Sequence, residues 1–220
     1  MTNPGPKDDV AAGAVDAPAA HEAQNGLSDG IPNIVEALCS ALEAKDFSIR
    51  RHSERVARSA AQVAEKMNLP AADCATLRFG ALLHDIGNIG IADSILLKPG
   101  GLTEWELEEV RMHPIIGEQI CKPLRSVLPL LPLLRSHHEK LNGSGYPDGL
   151  AGDAIPLLVR ILAVADVYDT LRSDRAYRSA FGHEQAIEIL RQEVARGWWQ
   201  ADIVALMLEV GALQGDFAPV

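Results

Sequence analysis

Apolar positions along the chain recur mainly every three to four residues, the spacing of one face of an α-helix. The first such stretch begins near Ile31 and carries Ile34, Leu38 and Leu42 on one face. No stretch alternates convincingly between apolar and polar residues, and no internal repeat is visible. The pattern therefore predicts an all-α fold.

Proline, glycine and capping residues divide the rest of the chain into further helices. We expect a second helix after a break at Phe47-Ser48, ending before Pro70, because proline disfavours helix at the preceding residue. Thr103-x-x-Glu106 is a capping box that starts another helix, and Pro114 should kink or restart it. Glycine-rich loops are expected at 87–101 and 139–154. The other helices are expected near 71–85, 133–138, 156–171, 183–195 and 200–210.

Composition suggests how these elements are grouped. Residues 1–30 are rich in Gly, Pro, Ala and Asp without an apolar period, which predicts a disordered tail. Residues 31–211 are expected to form one domain, followed by a C-terminal tail at 212–220. With 47% apolar residues in a chain of 220, that domain can bury a sizeable core.

The charge narrows the choice of partners. The formal net charge is −10, from 20 basic and 30 acidic residues. A duplex nucleic-acid-binding protein needs a basic face to displace counterions, so this class is disfavoured. An anionic substrate would have to be attracted locally, by metal ions or by a few arginines.

The cysteines and the lengths of the apolar runs indicate the cellular compartment of the protein. Cys39, Cys74 and Cys121 show no CxxC spacing and resemble small buried apolar residues in a reducing compartment. No run of about 18 apolar residues could span a membrane, and the N-terminus does not resemble a secretory signal. We therefore expect a cytoplasmic protein.

Candidate chemistry centres on His84-Asp85, which ends an apolar run. Asp85 and Asp166 both lie in apolar surroundings, where a buried carboxylate needs a cation or hydrogen-bond donors. Mixed imidazole and carboxylate ligands suit iron, manganese or zinc, and paired ions can clamp a phosphodiester. Two ions would satisfy seven residues: His52, His84, Asp85 and Asp166 for one, and Asp85, His113, His137 and His138 for the other.

Each of these residues also has an ordinary explanation. His52 alone could be a solvent-facing residue at a helix start, and Asp166 could accept hydrogen bonds from a neighbouring helix. His137-His138 could stabilise a helix C-terminus, where the helix dipole favours a cation. Spacing alone leaves both interpretations open.

Several motifs in order resemble an HD-GYP domain over about residues 35–210. They are His52-Ser-Glu-Arg-Val56, His84-Asp85-Ile-Gly-x-Ile-Gly-Ile91, His137-His138-Glu, Gly143-x-Gly-Tyr-Pro147 and Arg160-Ile-x-x-Val-Ala-Asp166. HD-GYP domains are HD-superfamily metal-dependent phosphohydrolases. The resemblance implies an HD-type helical bundle with a Gly-rich GYP loop. It also implies a cyclic di-GMP phosphodiesterase yielding pGpG and, in some cases, GMP.

The resemblance also assigns roles to residues. It implies that all seven candidate ligands hold two divalent ions, most often iron or manganese. A third ion in some members uses a Glu where this chain has Ser48. His84, Asp85 and Asn88 correspond to the catalytic centre. Substrate-binding positions match at Gly145, Tyr146, Pro147, Arg175 and Arg178.

One departure from the family pattern keeps an alternative open. The family usually has a phosphate-contacting Lys where this chain has Asn88. Losing a charge-assisted contact weakens binding or catalysis by about 1.5–3 kcal/mol. The alternative is therefore a receptor or interaction module that binds metal and cyclic di-GMP and signals through a diguanylate cyclase or another protein. A different cyclic or linear dinucleotide substrate and a homodimer are also compatible with the sequence.

Overall fold

A computed structural model describes residues 18–174 and 178–214, together with Met1; the side chains of residues 18–29, 47, 213 and 214 are not described. Within these ranges the elements are ten α-helices and three 3₁₀ turns, with no β-strand, so the all-α prediction is confirmed. The helices are α1 (Pro18–Lys45), α2 (Phe47–Lys66), α3 (Ala71–Leu83), α4 (Asp93–Leu96), α5 (Glu104–Val110), α6 (His113–Cys121), α7 (Leu131–Ser136), α8 (Leu157–Arg172), α9 (His183–Ala195) and α10 (Ala201–Gln214). The 3₁₀ turns are Ile86–Gly90, Arg125–Leu130 and Gly152–Ala154.

Helices α2 and α8 form the centre of the core. Helix α2 packs against α1, α3, α8 and α10, and its residues Val56 and Ala60 are completely buried. Helix α8 is predominantly apolar and buries a continuous run that includes Leu162 and Ala165. A helix enclosed in this way has few places for a polar side chain, so Asp166 requires partners in the interior.

The first two helices differ in part from the expectation. Helix α1 begins at Pro18 rather than near Ile31, so part of the stretch expected to be a tail is helical. The break before α2 falls at Asp46, whose side chain accepts a hydrogen bond from the backbone N–H of Ser48 at 2.8 Å. Residues 2–17, which carry the rest of the expected N-terminal tail, lie outside the described part of the chain. The division into tail and domain stays a prediction.

The third helix ends earlier than expected, at Leu83 rather than Asp85. The chain then tightens into the 3₁₀ turn Ile86–Gly90, within what was expected to be an irregular loop. Gly87 lies against α6 so closely that an added Cβ would stand 1.8 Å from the carbonyl oxygen of His113. This contact needs glycine and places His84-Asp85 beside the start of α6.

The sequence signals at Thr103 and Pro114 correctly predicted where α5 and α6 begin. Thr103 accepts a hydrogen bond from the backbone N–H of Glu106 at 3.3 Å, and the Glu106 carboxylate accepts from the Thr103 backbone at 2.7 Å. The capping box is therefore present. Pro114 lies at the start of α6, where its missing N–H costs no helical hydrogen bond, so the expected helix restart is confirmed.

The C-terminal helix α10 continues to Gln214, past the expected boundary at residue 211. Residues 215–220, the rest of the expected C-terminal tail, lie outside the described residues. None of the helices described here is long and apolar enough to cross a membrane.

Candidate metal centre

Three of the candidate histidines are oriented in the same way. Nδ1 of each ring lies at hydrogen-bond distance from the carbonyl oxygen three residues earlier: His84 from Ala81 at 2.7 Å, His113 from Val110 at 2.8 Å and His137 from Leu134 at 2.9 Å. Because a carbonyl can only accept, each Nδ1 carries the proton. In the neutral ring, Nε2 is then a bare acceptor, which is the form that binds a metal ion.

Two of these acceptors face each other. Nε2 of His113 lies 3.1 Å from Nε2 of His137, and with both protons on Nδ1 no hydrogen bond can form between them. Metal–imidazole bonds are about 2.0–2.1 Å long, so two ligands of one ion stand roughly 3.0–3.4 Å apart. Together with His138 these rings form a cluster whose ligand atoms lie within 4.8 Å of one another. Their spacing fits a shared cation.

A second cluster comprises His52, His84 and Asp85, again with ligand atoms within 4.8 Å. Nε2 of His84 is buried and has no hydrogen-bond partner. Burying an unpaired nitrogen raises the free energy of the folded state unless a cation lies there. Asp166 joins this cluster from α8, with its Oδ1 3.0 Å from Nε2 of His52 and 3.9 Å from Nε2 of His84. The donor set and the unpartnered nitrogen fit a divalent metal ion.

Asp85 connects the two clusters. Its Oδ2 lies 3.5 Å from Nε2 of His84, and its Oδ1 lies 3.3 Å from Nε2 of His113. A carboxylate in this position can offer one oxygen to each of two ions. The structure thus brings together the seven residues expected to be ligands, from α2, the end of α3, α6, the end of α7, and α8.

The electrostatics suit ligation at most of these positions. Burial lowers the pKa of His138 to about 4 and holds that of His137 well below its usual value, so both rings are neutral at pH 7. The pKa of Asp166 stays well below its usual value despite burial, chiefly because of its hydrogen bond to His52. Neutral imidazoles and ionised carboxylates are the states that bind a divalent cation.

His52 differs from the other ligands. Burial lowers its pKa, but hydrogen bonds to Asp166 and Asp169 outweigh burial and raise the pKa to about 10. A metal ion at Nε2 would replace the proton shared with Asp166, while Nδ1 would keep its bond to Asp169.

Two residues that support His52 were missed by the sequence analysis. Oδ2 of Asp169 lies 2.7 Å from Nδ1 of His52, and Arg55 donates to both oxygens of Asp169 at 2.7 and 2.9 Å. Carboxylates behind ligating histidines fix ring orientation and raise ligand basicity. The available signal was the spacing, since His52-x-x-Arg55 and Asp166-x-x-Asp169 each place two residues on one helix face.

The Gly-rich loop lies against this site. Tyr146 stacks on His138, with ring centroids 4.7 Å apart, and is followed by the cis-bonded Pro147. Gly145 packs so tightly that a Cβ would lie 2.4 Å from Cα of Glu139. The buried Glu139 carboxylate accepts from the backbone N–H groups of Asp148 at 2.7 Å and Leu150 at 3.0 Å. Glu139, which the motif contained without a role, fixes this loop.

The remaining site residues expected from the sequence differ in their surroundings. Asn88 is buried, 6% exposed, in the 3₁₀ turn directly after Asp85. The Arg178 guanidinium donates to the backbone carbonyls of Thr170 and Leu171 at the end of α8 and of Ser179 in its own loop. Arg175 lies outside the described residues. Substrate contact at these positions stays a prediction.

Comparison with known proteins agrees with the geometry. The HD domain family model matches residues 36–203. The cyclic di-GMP phosphodiesterase response regulator RpfG of Xanthomonas campestris pv. campestris is 42% identical over 162 residues, 72% of this chain and 43% of its own length. The 3′3′-cGAMP-specific phosphodiesterase 3 of Vibrio cholerae is 40% identical over 161 residues, 73% of this chain and 35% of its own length.

A solved structure shows the same fold. Bd1817, an HDG"Y"P protein from Bdellovibrio bacteriovorus, superposes with a TM-score of 0.65 at 21% identity, covering 88% of this chain and 64% of that one. The chain spans less than half the length of the two curated relatives, at 43% and 35%. The family match and the motifs at His84-Asp85 and Gly145-Tyr146-Pro147 together show that the chain belongs to the HD domain family, as an HD-GYP domain protein.

Proposed function

We propose that this protein is a cyclic di-GMP phosphodiesterase that cleaves its substrate to pGpG with two divalent ions, iron or manganese; further cleavage of pGpG to GMP is open and is tested below. The observation that carries the proposal is Asp85, whose two oxygens face different histidine clusters at 3.5 and 3.3 Å. A bridging carboxylate between two imidazole sets supports a two-metal centre. The similarity to RpfG supports cyclic di-GMP as the substrate.

The seven candidate ligands would be shared between the two ions. His52, His84 and Asp166 would hold one ion, His113, His137 and His138 the other, and Asp85 would bind both. When bound, the ions supply Lewis-acid stabilisation of the charge that develops on the phosphoryl group and lower the pKa of a water.

The protein contributes position and protonation state. Nδ1–H of His84, His113 and His137 each donates a hydrogen bond to a backbone carbonyl oxygen, which keeps the three Nε2 atoms aimed at one region. Because these rings are buried, bulk water is kept from the ligand side of the centre. Tyr146 stacks on the face of His138, so it would border a phosphodiester bound at this centre.

The test compares the wild type with Asp85→Ala. Protein loaded with iron or manganese should hydrolyse cyclic di-GMP, and the variant should lose the activity and at least one equivalent of metal. Asp202→Asn is the matched control, since Asp202 is an exposed acid at the start of α10. Activity that survives Asp85→Ala would refute the metal-centred mechanism. Tight cyclic di-GMP binding by the wild type without product over hours would instead identify a receptor.

A second substrate has a specific observation in its favour. The Vibrio cholerae relative at 40% identity is named for 3′3′-cGAMP rather than cyclic di-GMP. Side-by-side hydrolysis of the two cyclic dinucleotides, with product profiles, separates these substrates and shows whether cleavage stops at pGpG. A cytoplasmic location, a diguanylate cyclase or other signalling partner, and a homodimer also stay predictions.

A further inference from the structure

Tyr146 contacts both a residue of the metal-ligand cluster and an arginine that the sequence motifs did not include. Its ring stacks on His138 at 4.7 Å, with 25° between the ring planes. The guanidinium carbon of Arg111 lies over the Tyr146 ring at 5.5 Å from its centroid. Arg111 follows the last residue of α5 and precedes His113 by two residues, so the chain carries it directly to the edge of the site.

Several other cations among the described residues already have partners. Lys140 lies 3.2 Å from the centroid of the Trp198 ring, and burial lowers its pKa. Arg55 is bound to the buried Asp169, and Arg178 to three backbone carbonyls. Arg111 is paired with Glu108 on its own helix, and the two side chains are 43% and 61% exposed. Such an exposed pair costs little to open.

The inference rests on the proposed function. A cyclic dinucleotide carries two phosphodiester groups, and only one of them can be cleaved at the metal ligands at a time. The second phosphodiester must then lie elsewhere on the protein surface. Because the protein has a net charge of −10, a local cation is needed there to attract this negatively charged group. We propose that Arg111 binds the phosphodiester that is not being cleaved, beside the Tyr146 ring that stacks on the metal ligand His138.

The chemistry of arginine suits this role. Its planar guanidinium offers two parallel N–H donors to the two free oxygens of a phosphodiester, which a lysine cannot match. The contact would hold the ring of the substrate without touching the reacting phosphorus. Arg111 would thus be a substrate-binding residue that favours molecules with two phosphate groups.

The experiment uses two substrates and the metal-loaded protein. Cyclic di-GMP has the second phosphodiester, whereas bis(p-nitrophenyl) phosphate has only one. Arg111→Ala should raise KM for cyclic di-GMP by at least about tenfold, the lower end for a hydrogen bond between charged groups, with kcat changed little. Hydrolysis of bis(p-nitrophenyl) phosphate should stay within twofold of the wild type. Arg111→Lys should recover only part of the lost affinity.

The control is Arg191→Ala, which removes the same charge from an exposed position on α9. It should leave KM for both substrates unchanged, because general charge effects are the same in the two variants. Equal losses for both substrates on Arg111→Ala, or an unchanged KM for cyclic di-GMP, would overturn the inference.

A wild type that cleaves bis(p-nitrophenyl) phosphate but no cyclic dinucleotide would instead overturn the proposed function. In that case direct cyclic di-GMP binding to the wild type and to Arg111→Ala still tests Arg111: equal affinity refutes the contact.

Discussion

Oδ2 of Asp169 lies 2.7 Å from Nδ1 of His52, although the two residues are 117 positions apart in the chain. This contact joins the second turn of α2 to the last part of α8 across the core. It fixes the His52 ring with Nε2 directed at Asp166. A residue outside the ligand set thus determines the orientation of a ligand.

Asp169→Asn tests this relationship. An amide has one acceptor oxygen instead of two, so it cannot serve both Arg55 and His52 as the carboxylate does. Metal affinity should fall by about 10–100-fold, the usual effect of losing such a supporting group. Metal titration of the apo-protein measures it. Asp93→Asn, at an exposed position in α4, should show no change, and unaltered affinity in Asp169→Asn would refute the supporting role.

Metal removal should destabilise the protein. An ion that binds only the folded state stabilises it by about 2.7 kcal/mol at a concentration 100 times its dissociation constant. Chelation should therefore lower Tm, and adding back manganese or iron should restore it. His137→Ala, which removes a buried ligand, should show a smaller difference between the two conditions. A wild-type Tm that is independent of metal would contradict the assigned centre.

Asn88→Lys should increase activity on cyclic di-GMP. Asn88 is buried three residues after Asp85, at the position where the family usually has a phosphate-contacting Lys, so a lysine there would restore a positive charge beside the substrate phosphate. A charge-assisted hydrogen bond contributes about 1.5–3 kcal/mol, which predicts at least a tenfold higher kcat/KM. Asn88→Met adds similar bulk without charge and serves as the control. If both variants behave alike, position 88 does not limit the reaction.

Gly145→Ala should disturb the loop that presents Tyr146. Its Cβ would meet backbone atoms of residues 138–140 within 2.6 Å, and backbone cannot rotate away. Overpacking of this kind costs about 1–3 kcal/mol, so Tm and kcat/KM should both fall. Gly101→Ala is the matched control, because no atom lies within 4 Å of the Cβ added at that position. Comparable behaviour of the two variants would show that close packing at Gly145 is unimportant.

Some of these features were available from the sequence because they depend on neighbouring residues. The Thr103 cap and the restart at Pro114 follow from backbone hydrogen bonds within one turn, and both are present. The end of α3 was placed too late, because the tight contact between Gly87 and α6 is not a local property. Helix type was predictable, while helix ends that depend on packing were not.

The sequence by itself determined the helical class and, through its motifs, the family and the seven candidate ligands. Only the tertiary structure decided how those ligands are supported and what borders them. The Asp169–Arg55 pair and the position of Arg111 over Tyr146 each join segments that are distant along the chain, so neither pairing could be derived from the local sequence. Their physical reason is the same: a buried charge or a packed ring must find its partner in space, and folding brings that partner from a distant element.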